Sequence, residues 1–330
     1  MEWAAILTQG KRGRAPRSQH NFTIRMPTNR NANALGSYNG HMEAEQQPLV
    51  IVFVDDLFFA PQIEDVARRL GFRVETIAHA NQLGSNSGTE KQPPGEALEG
   101  RIGTLLDRLT TDVAALAIFD LENKSIPWAD WITRIKSSPA TRRMPIVCFG
   151  RHTEVDTMKE ARSAGADQVL ARSRFVEVLP QLLQEHARVP DMRALSEACA
   201  GELAPRATAG IELFNAGEYF EAHEELEEAW RADESPAREL YRAILQVAVA
   251  YLQIERGNYK GAAKMFLRVQ QWINPLPDQC RGVDVAQLRS DAISVRKKLQ
   301  ELGPDGIKEF DSSQFKPVIL IPKDKGANLG

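Results

Sequence analysis

The chain has 330 residues, 43% hydrophobic and 26% charged, with a formal net charge of -3, a profile of ordinary globular protein with room for two domains. This balance gives no global reason for nucleic-acid or membrane binding, and no apolar run approaches the roughly 20 residues that span a bilayer. Cys148, Cys199 and Cys280 lie far apart without a CxxC pair, so neither a disulfide framework nor a zinc site is expected, in keeping with a reducing cytoplasm.

Residues 1–47 lack apolar periodicity and carry Lys11, Arg12, Arg14, Arg17, Arg25 and Arg30. The segment "WAAIL" near the start is too short for a signal h-region. A disordered basic tail is expected, the alternative being a weak nucleic-acid-binding arm; no aromatics interleave with the charges. Met42 is a second candidate for the native start.

From Pro48 the texture changes. "LVIVFVDD" reads as a buried strand, "PQIEDVARRLGF" as a helix with Ile63, Val66 and Leu70 on one stripe, and "RVETIA" as a second strand. A Gly/Ser/Pro-rich loop over about 82–95 follows. The alternation then resumes: a helix near Leu98–Leu109, strand "VAALAIFD", a helix near Trp128–Ile135 and strand "MPIVCFG". A helix near Val155–Ser163, strand "DQVLA" and a helix near Phe175–His186 complete it. Five apolar strands alternating with helices predict a doubly wound parallel sheet over 48–188.

Functional groups of such sheets collect at the carboxyl ends of the strands. The first strand ends in Asp55-Asp56 and the third in Asp120, an oxygen-rich set suited to a hard cation. Over roughly Pro48–Arg188 this pattern resembles the receiver domain of bacterial response regulators, a flavodoxin-like fold. The resemblance implies Mg²⁺ on Asp55, Asp56 and Asp120, and phosphoryl transfer to Asp120. Two positions depart from it. Gly150 stands where receivers carry a Ser or Thr, and Arg172-Ser173 where they carry Lys-Pro. Arginine keeps the charge but not the ammonium geometry, so a pseudo-receiver for docking or dimerisation is expected.

Beyond a linker at 189–202, residues 203–302 read as an all-helical bundle, followed by an extended segment and tail over 303–330. Breaks fall at 215–217, 234–236, 257–258 and 275–277. Gly217, Tyr219, Ala222 and Leu226 recur 40 positions on as Gly257, Tyr259, Ala262 and Phe266, two similar helical hairpins. On the helical wheel Glu221, Glu224, Glu225 and Glu228 fall outward, whereas His223 and Glu227 flank the apolar stripe. The following helix is apolar nearly all round except for Arg242, Gln246 and Gln253. Buried polar groups need partners, so His223 and Glu227 are expected to meet Gln246 and Gln253.

"FNAGEYFEAHEELEEAW" followed by "AILQVAVAYLQIERGNYKGA" resembles the bacterial domain of unknown function, family 309, over roughly Ala207–Trp272. The resemblance implies a helical bundle without an assigned activity. Gln253 stands where such sequences often carry a second histidine, which disfavours a metal. Three readings remain for His223 and Glu227: a structural polar cluster with Gln246, Gln253 and Asn258; a ligand pocket or catalytic pair; or a metal site built as an HExxH helix builds one. The expected function is a cytoplasmic regulatory protein, a pseudo-receiver coupled to a helical partner- or ligand-binding module. The alternative is an enzyme, in the hydrolase class or metal-dependent, with His223 and Glu227 at its centre. A protein partner is expected, including a homodimer through the receiver-like part, and no membrane; Mg²⁺ is the one cofactor implied.

Overall fold

The computed structural model describes residues 47–84 and 100–322; the expected basic tail, Met42, most of the 82–95 loop and the final residues lie outside that range. The alternation expected after Pro48 becomes a five-stranded, all-parallel sheet. Its strands are β1 (Leu49–Phe53), β2 (Arg73–Thr76), β3 (Leu116–Asp120), β4 (Ile146–Gly150) and β5 (Gln168–Ala171), in the order β2-β1-β3-β4-β5. This is the flavodoxin-like order. Helices α1 (Phe59–Arg69), α2 (Gly100–Thr111), α3 (Trp128–Ser137), α4 (Val155–Ala164) and α5 (Arg172–His186) connect and follow the strands.

Side chains alternate faces along a strand, and both faces are buried. Leu49, Ile51 and Phe53 pack with Leu105 and Leu109 of α2 and Ile132 and Ile135 of α3. Val50 and Val52 pack with Ile63 of α1 and Phe175 and Leu179 of α5. Each such side chain contributes about 2 kcal/mol on burial, which is why these strands read as unbroken apolar runs. The carboxyl ends of β1 and β3 therefore project Asp55, Asp56 and Asp120 from one edge.

After the sheet come α6 (Met192–Cys199), α7 (Pro205–Asn215), α8 (Tyr219–Ala232), α9 (Arg238–Glu255), α10 (Tyr259–Ile273) and α11 (Val285–Gly306). The two repeated glycines end their turns with positive φ, 85° at Gly217 and 66° at Gly257, a conformation costly to residues with a Cβ. Tyr219 and Tyr259 then open α8 and α10, so the 40-residue echo is a repeated turn–helix joint. Of the segment read as extended from 303, the first part is helical, with the end of α11 and 3-10 turns at Ile307–Glu309 and Ser312–Gln314; beyond it Phe315 stacks on Tyr251 with ring centroids 4.3 Å apart, and Asn215 exchanges hydrogen bonds with the backbone of Val318.

Two features depart from expectation. Segment 189–202, read as a linker, contains α6. A short hairpin, β6 (Gln279–Cys280) and β7 (Val283–Asp284), precedes α11, and Cys280 on it forms a disulfide with Cys199 at the end of α6. The cysteines are therefore not all unpaired, and their content no longer argues for a reducing compartment. They are 81 positions apart, and only the packing of α6 on the hairpin brings them together. Arg281, with φ 52°, locks the joint. Its guanidinium donates to Asp233 at 2.6 Å, to Ser235 Oγ at 2.8 Å and to the Tyr241 hydroxyl, and its backbone N–H donates to the Cys199 carbonyl. No helix among the described residues is long and apolar enough to cross a membrane.

The sheet and the helical region meet through polar anchors. Arg296 Nη2 lies 3.0 Å from Asp107 Oδ1, Asn274 Nδ2 donates to the Thr110 carbonyl at 2.8 Å, and Gln271 Nε2 donates to the Pro139 carbonyl at 2.8 Å.

Candidate functional site

At the carboxyl edge of the sheet the structure brings Asp56, Asp120 and Glu122 around one guanidinium, that of Arg172 at the start of α5. Arg172 Nη2 sits 2.7 Å from Asp120 Oδ2 and 3.9 Å from Glu122 Oε2, and Nη1 sits 3.5 Å from Asp56 Oδ2. Its plane is held between rings, 4.4 Å from the Phe59 centroid and 5.7 Å from that of Phe149, so cation–π attraction adds to the ion pairs. Arg151 supplies a second cation, 3.0 Å from Glu122.

Asp120 is 1% exposed. Burial pushes its carboxyl up to about 6, although the Glu122 backbone N–H and Arg172 both favour the charged form. Desolvation outweighs pairing here. Asp56 is occupied differently: its Oδ1 accepts from the backbone N–H groups of Phe58 (2.9 Å) and Phe59 (3.2 Å) at the start of α1. Asp55 points to solvent.

Asp55, Asp56 and Asp120 do not form a cation cradle, because the guanidinium stands among the carboxylates and one oxygen of Asp56 is spent on a turn. Among the described residues no group of three or more His, Cys, Asp or Glu is arranged to hold a metal. The residues present do not fit a hard divalent ion. Gly150 is likewise packed: a Cβ there would lie 3.3 Å from Leu121 Cβ, which leaves little space for a hydroxyl side chain.

In the helical region the polar residues separate into three sets. Gln253 Oε1 accepts from Asn258 Nδ2 at 2.6 Å, and Asn258 Oδ1 caps α10 through the Gly261 N–H at 3.0 Å. A Cβ on Gly261 would fall 2.5 Å from Asn258 Nδ2. The G-N-x-x-G-A pattern is thus a helix start packed against its own cap. Gln253 and Asn258 serve that joint.

Glu227 turns outward to Arg231, 2.8 Å away, and does not reach Gln246 or Gln253. The four-residue cluster expected of His223, Glu227, Gln246 and Gln253 does not assemble. His223 is 4% exposed and Gln246 is fully buried, yet neither imidazole nitrogen and neither amide atom of Gln246 has a hydrogen-bond partner. Burial lowers the imidazole pKa, with Glu227 opposing, so His223 is held neutral. The folded protein resists a proton that the unfolded chain accepts, and stability falls as pH drops below the ordinary histidine value of about 6.5. We expect His223→Leu to remove that acid-side loss, read as a flatter dependence of the urea midpoint on pH between about 5 and 7.

The third set is a cation–aromatic stack. Arg238 lies 4.6 Å and Arg242 4.8 Å from the Trp230 centroid; Arg242 lies 3.7 Å from that of Trp272, and Arg143 of the α3–β4 connection lies 5.0 Å from the Trp272 centroid as well. Glu239, 3.4 Å from Arg242, is the carboxylate paired with it. Burial lowers the Arg242 pKa, against Glu239, and the neighbouring Arg143 and Arg238 lower it further. The Nε of Arg238 and Arg242 and the indole N–H groups of Trp230 and Trp272 are buried without an acceptor. Gln246 follows Arg242 by one turn on α9, and His223 precedes Trp230 by two turns on α8, so both belong to faces that continue this stripe inward. Arg242 and Gln246 were legible as polar exceptions on an apolar helix. Nothing in the sequence singled out Trp272 or placed Arg143, from the sheet region, beside it.

Several solved receiver domains are similar to the sheet region. The receiver domain of a Pseudomonas aeruginosa sensor histidine kinase, solved with magnesium in its active-site cleft, is 17% identical, covers 42% of this chain and 97% of its own, and gives a TM-score of 0.33. A response-regulator receiver domain of Rhodospirillum rubrum is 21% identical over 43% of this chain and 97% of its own, with a TM-score of 0.32. The chemotaxis response regulator CheY4 of Vibrio cholerae is 14% identical over 42% of this chain and 97% of its own, also at 0.32. No curated protein matches the chain significantly. Within a chain whose sheet has the receiver-like order, residues 207–265 match the family described as domain of unknown function DUF309, a range that takes in most of α7, all of α8 and α9, and the start of α10.

Proposed function

We propose that this protein is regulatory, that its receiver-like sheet works without phosphoryl transfer, and that its helical region is the binding module. The observation that carries this reading is the Arg172 guanidinium, 2.7 Å from the buried Asp120 and held in place by Phe59. A preformed internal cation at the acceptor carboxylate competes with any external cation and with an incoming phosphoryl group. The polar anchors from α10 and α11 to the sheet tie the two regions together, which suits a sheet that positions its neighbour. Leu57 and Phe58, 86% and 87% exposed beside Asp56, support a protein contact at this edge, a second copy of the chain included. An enzyme centred on His223 and Glu227 has less support: the imidazole is sealed inside the bundle, and the carboxylate is engaged with Arg231.

Intact-mass spectrometry after incubation with acetyl phosphate and Mg²⁺ tests the reading. The expected result is no phosphoryl adduct. An adduct present in the native protein and absent from Asp120→Asn overturns it.

A further inference from the structure

Residues 311–322 cross the helical region as a strap, and Val318 is the one of them that is buried. What holds the strap is mostly its main chain. Asn215, at the end of α7, spends both ends of its carboxamide on Val318: Nδ2 donates to the carbonyl at 3.0 Å, and Oδ1 accepts from the N–H at 2.7 Å. On its other side the strap pairs with the β6–β7 hairpin. The Asp284 N–H donates to the Ile319 carbonyl at 3.0 Å, and the Ile321 N–H donates to the Gly282 carbonyl at 2.7 Å. Two side chains complete the attachment. Phe315 stacks on Tyr251 of α9 and meets Tyr219 of α8 edge-on, 5.7 Å between centroids, with Phe214 of α7 touching both tyrosines. Val318, three positions on, is the other.

Extended peptides are recognised in this way: bonds from a strand edge to the main chain give affinity, and pockets for separated side chains give specificity. Two further observations set the seat apart from its occupant. Phe214, Asn215, Tyr219 and Tyr251 all fall within 207–265, the range of the family match, whereas the strap lies beyond it. The seat also has room to spare. A cleft of about 350 Å³ runs beside the strap, walled by Lys316, Pro317 and Ile319 on one side and by Asp284, Gln287 and Asp291 on the other. The two carboxylates in that wall favour a basic residue at the position of Lys316.

We propose that this seat is a peptide-docking surface, filled in cis by the strap. Its partner is an extended segment of another protein with an aromatic residue, a basic residue next to it and a branched aliphatic residue three positions after the aromatic. The strap is a tethered competitor at an effective concentration on the order of millimolar, so the partner gains the seat as the strap detaches. The inference names a surface of the helical region and rests on the reading of that region as the binding module. The two fail separately: an adduct on Asp120 overturns the silent receiver and leaves the seat as it is, and a seat that takes no peptide leaves the phosphorylation result unchanged.

The test is fluorescence anisotropy of a labelled synthetic peptide with the sequence of residues 311–322, DSSQFKPVILIP. It is titrated with the native full chain and with full-chain Phe315→Ala/Val318→Ala, whose own strap is loosened. The loosened variant is expected to bind saturably and at least about tenfold more tightly than the native chain, where the strap competes. Adding Asn215→Ala to the loosened variant is expected to cost about tenfold in affinity, as is Lys316→Glu in the peptide. Circular dichroism checks that each variant folds. The proposal is overturned if the peptide does not saturate the folded, loosened variant below about 1 mM, if a scrambled peptide binds as well, or if Asn215→Ala changes nothing. It is also overturned if light scattering finds the native chain dimeric and the loosened variant monomeric, because the occupant is then the strap of a second copy. Should the loosened variant not fold, hydrogen exchange of the native chain decides. Val318 and Ile321 amides exchanging about a hundredfold faster than the slowest amides of α9 mark a detachable strap, and equal protection makes the strap part of the core and overturns the proposal.

Discussion

Removing the Cys199–Cys280 disulfide is expected to lower the unfolding free energy by about 4 kcal/mol. The two cysteines are 81 positions apart, and closing so long a loop removes much of the unfolded chain's conformational freedom, about 4–5 kcal/mol in the loop-entropy account. The bond also sits in a dense joint. Arg281, next in sequence to Cys280, reaches Asp233, Ser235 and Tyr241, so loosening the hairpin loosens the α8–α9 turn as well. Urea unfolding of the oxidised protein against Cys199→Ser and Cys199→Ser/Cys280→Ser measures the effect. The third cysteine, Cys148, is buried in the sheet and its thiol pKa is driven upward by burial, so it does not exchange readily into the bond. Midpoints that coincide for all three proteins would show that the bond does not constrain the fold.

The second large effect is expected at Arg172. Arg172→Met keeps most of the side-chain volume but leaves Asp120, 1% exposed, without its cation. Breaking one side of such a pair costs about 3 kcal/mol near pH 8, toward the low end of the range for buried pairs because Arg172 is itself 26% exposed at the side chain. The cost depends on pH. Burial already raises the Asp120 carboxyl from 3.8 to about 6, so in the native protein it is an expense to folding that is complete above pH 6. That expense is relieved as pH falls from about 6 toward 3.8, where the folded state binds a proton that the unfolded state does not. Removing the arginine raises the carboxyl further, and the penalty of Arg172→Met should shrink steadily on going from pH 8 to pH 5. Asp120→Asn/Arg172→Met should recover most of the loss at pH 8. A penalty that stays the same across this range, or that persists in the double variant, would place the cost in packing against Phe59 rather than in the buried charge.

The two regions differ in how much of their chemistry could be read in advance. Asp55, Asp56 and Asp120 were visible as carboxylates at strand ends, because the ends of apolar runs mark the ends of strands. Their use was not visible. Whether an aspartate binds a cation, caps a turn or pairs with an arginine is decided by what stands within about 4 Å of it, and Arg172 lies 116 positions from Asp56. His223 and Glu227 show the same limit on a smaller scale. Helical periodicity placed both at the edge of the apolar stripe, and the structure buries the first and turns the second to Arg231. Periodicity does not resolve which of those outcomes a side chain at that edge takes.

What the sequence by itself determined is the architecture. Strands, helices and the glycine-ended joints at Gly217 and Gly257 are set by local spacing and by backbone sterics, which act within a few residues and leave a direct trace in the order of amino acids. The tertiary structure alone decided the disulfide, the Arg172 plug and the meeting of Arg143 with Trp272 across the junction. Each of these joins groups distant in sequence, and each depends on angstrom-scale distances that follow from the packing of whole elements.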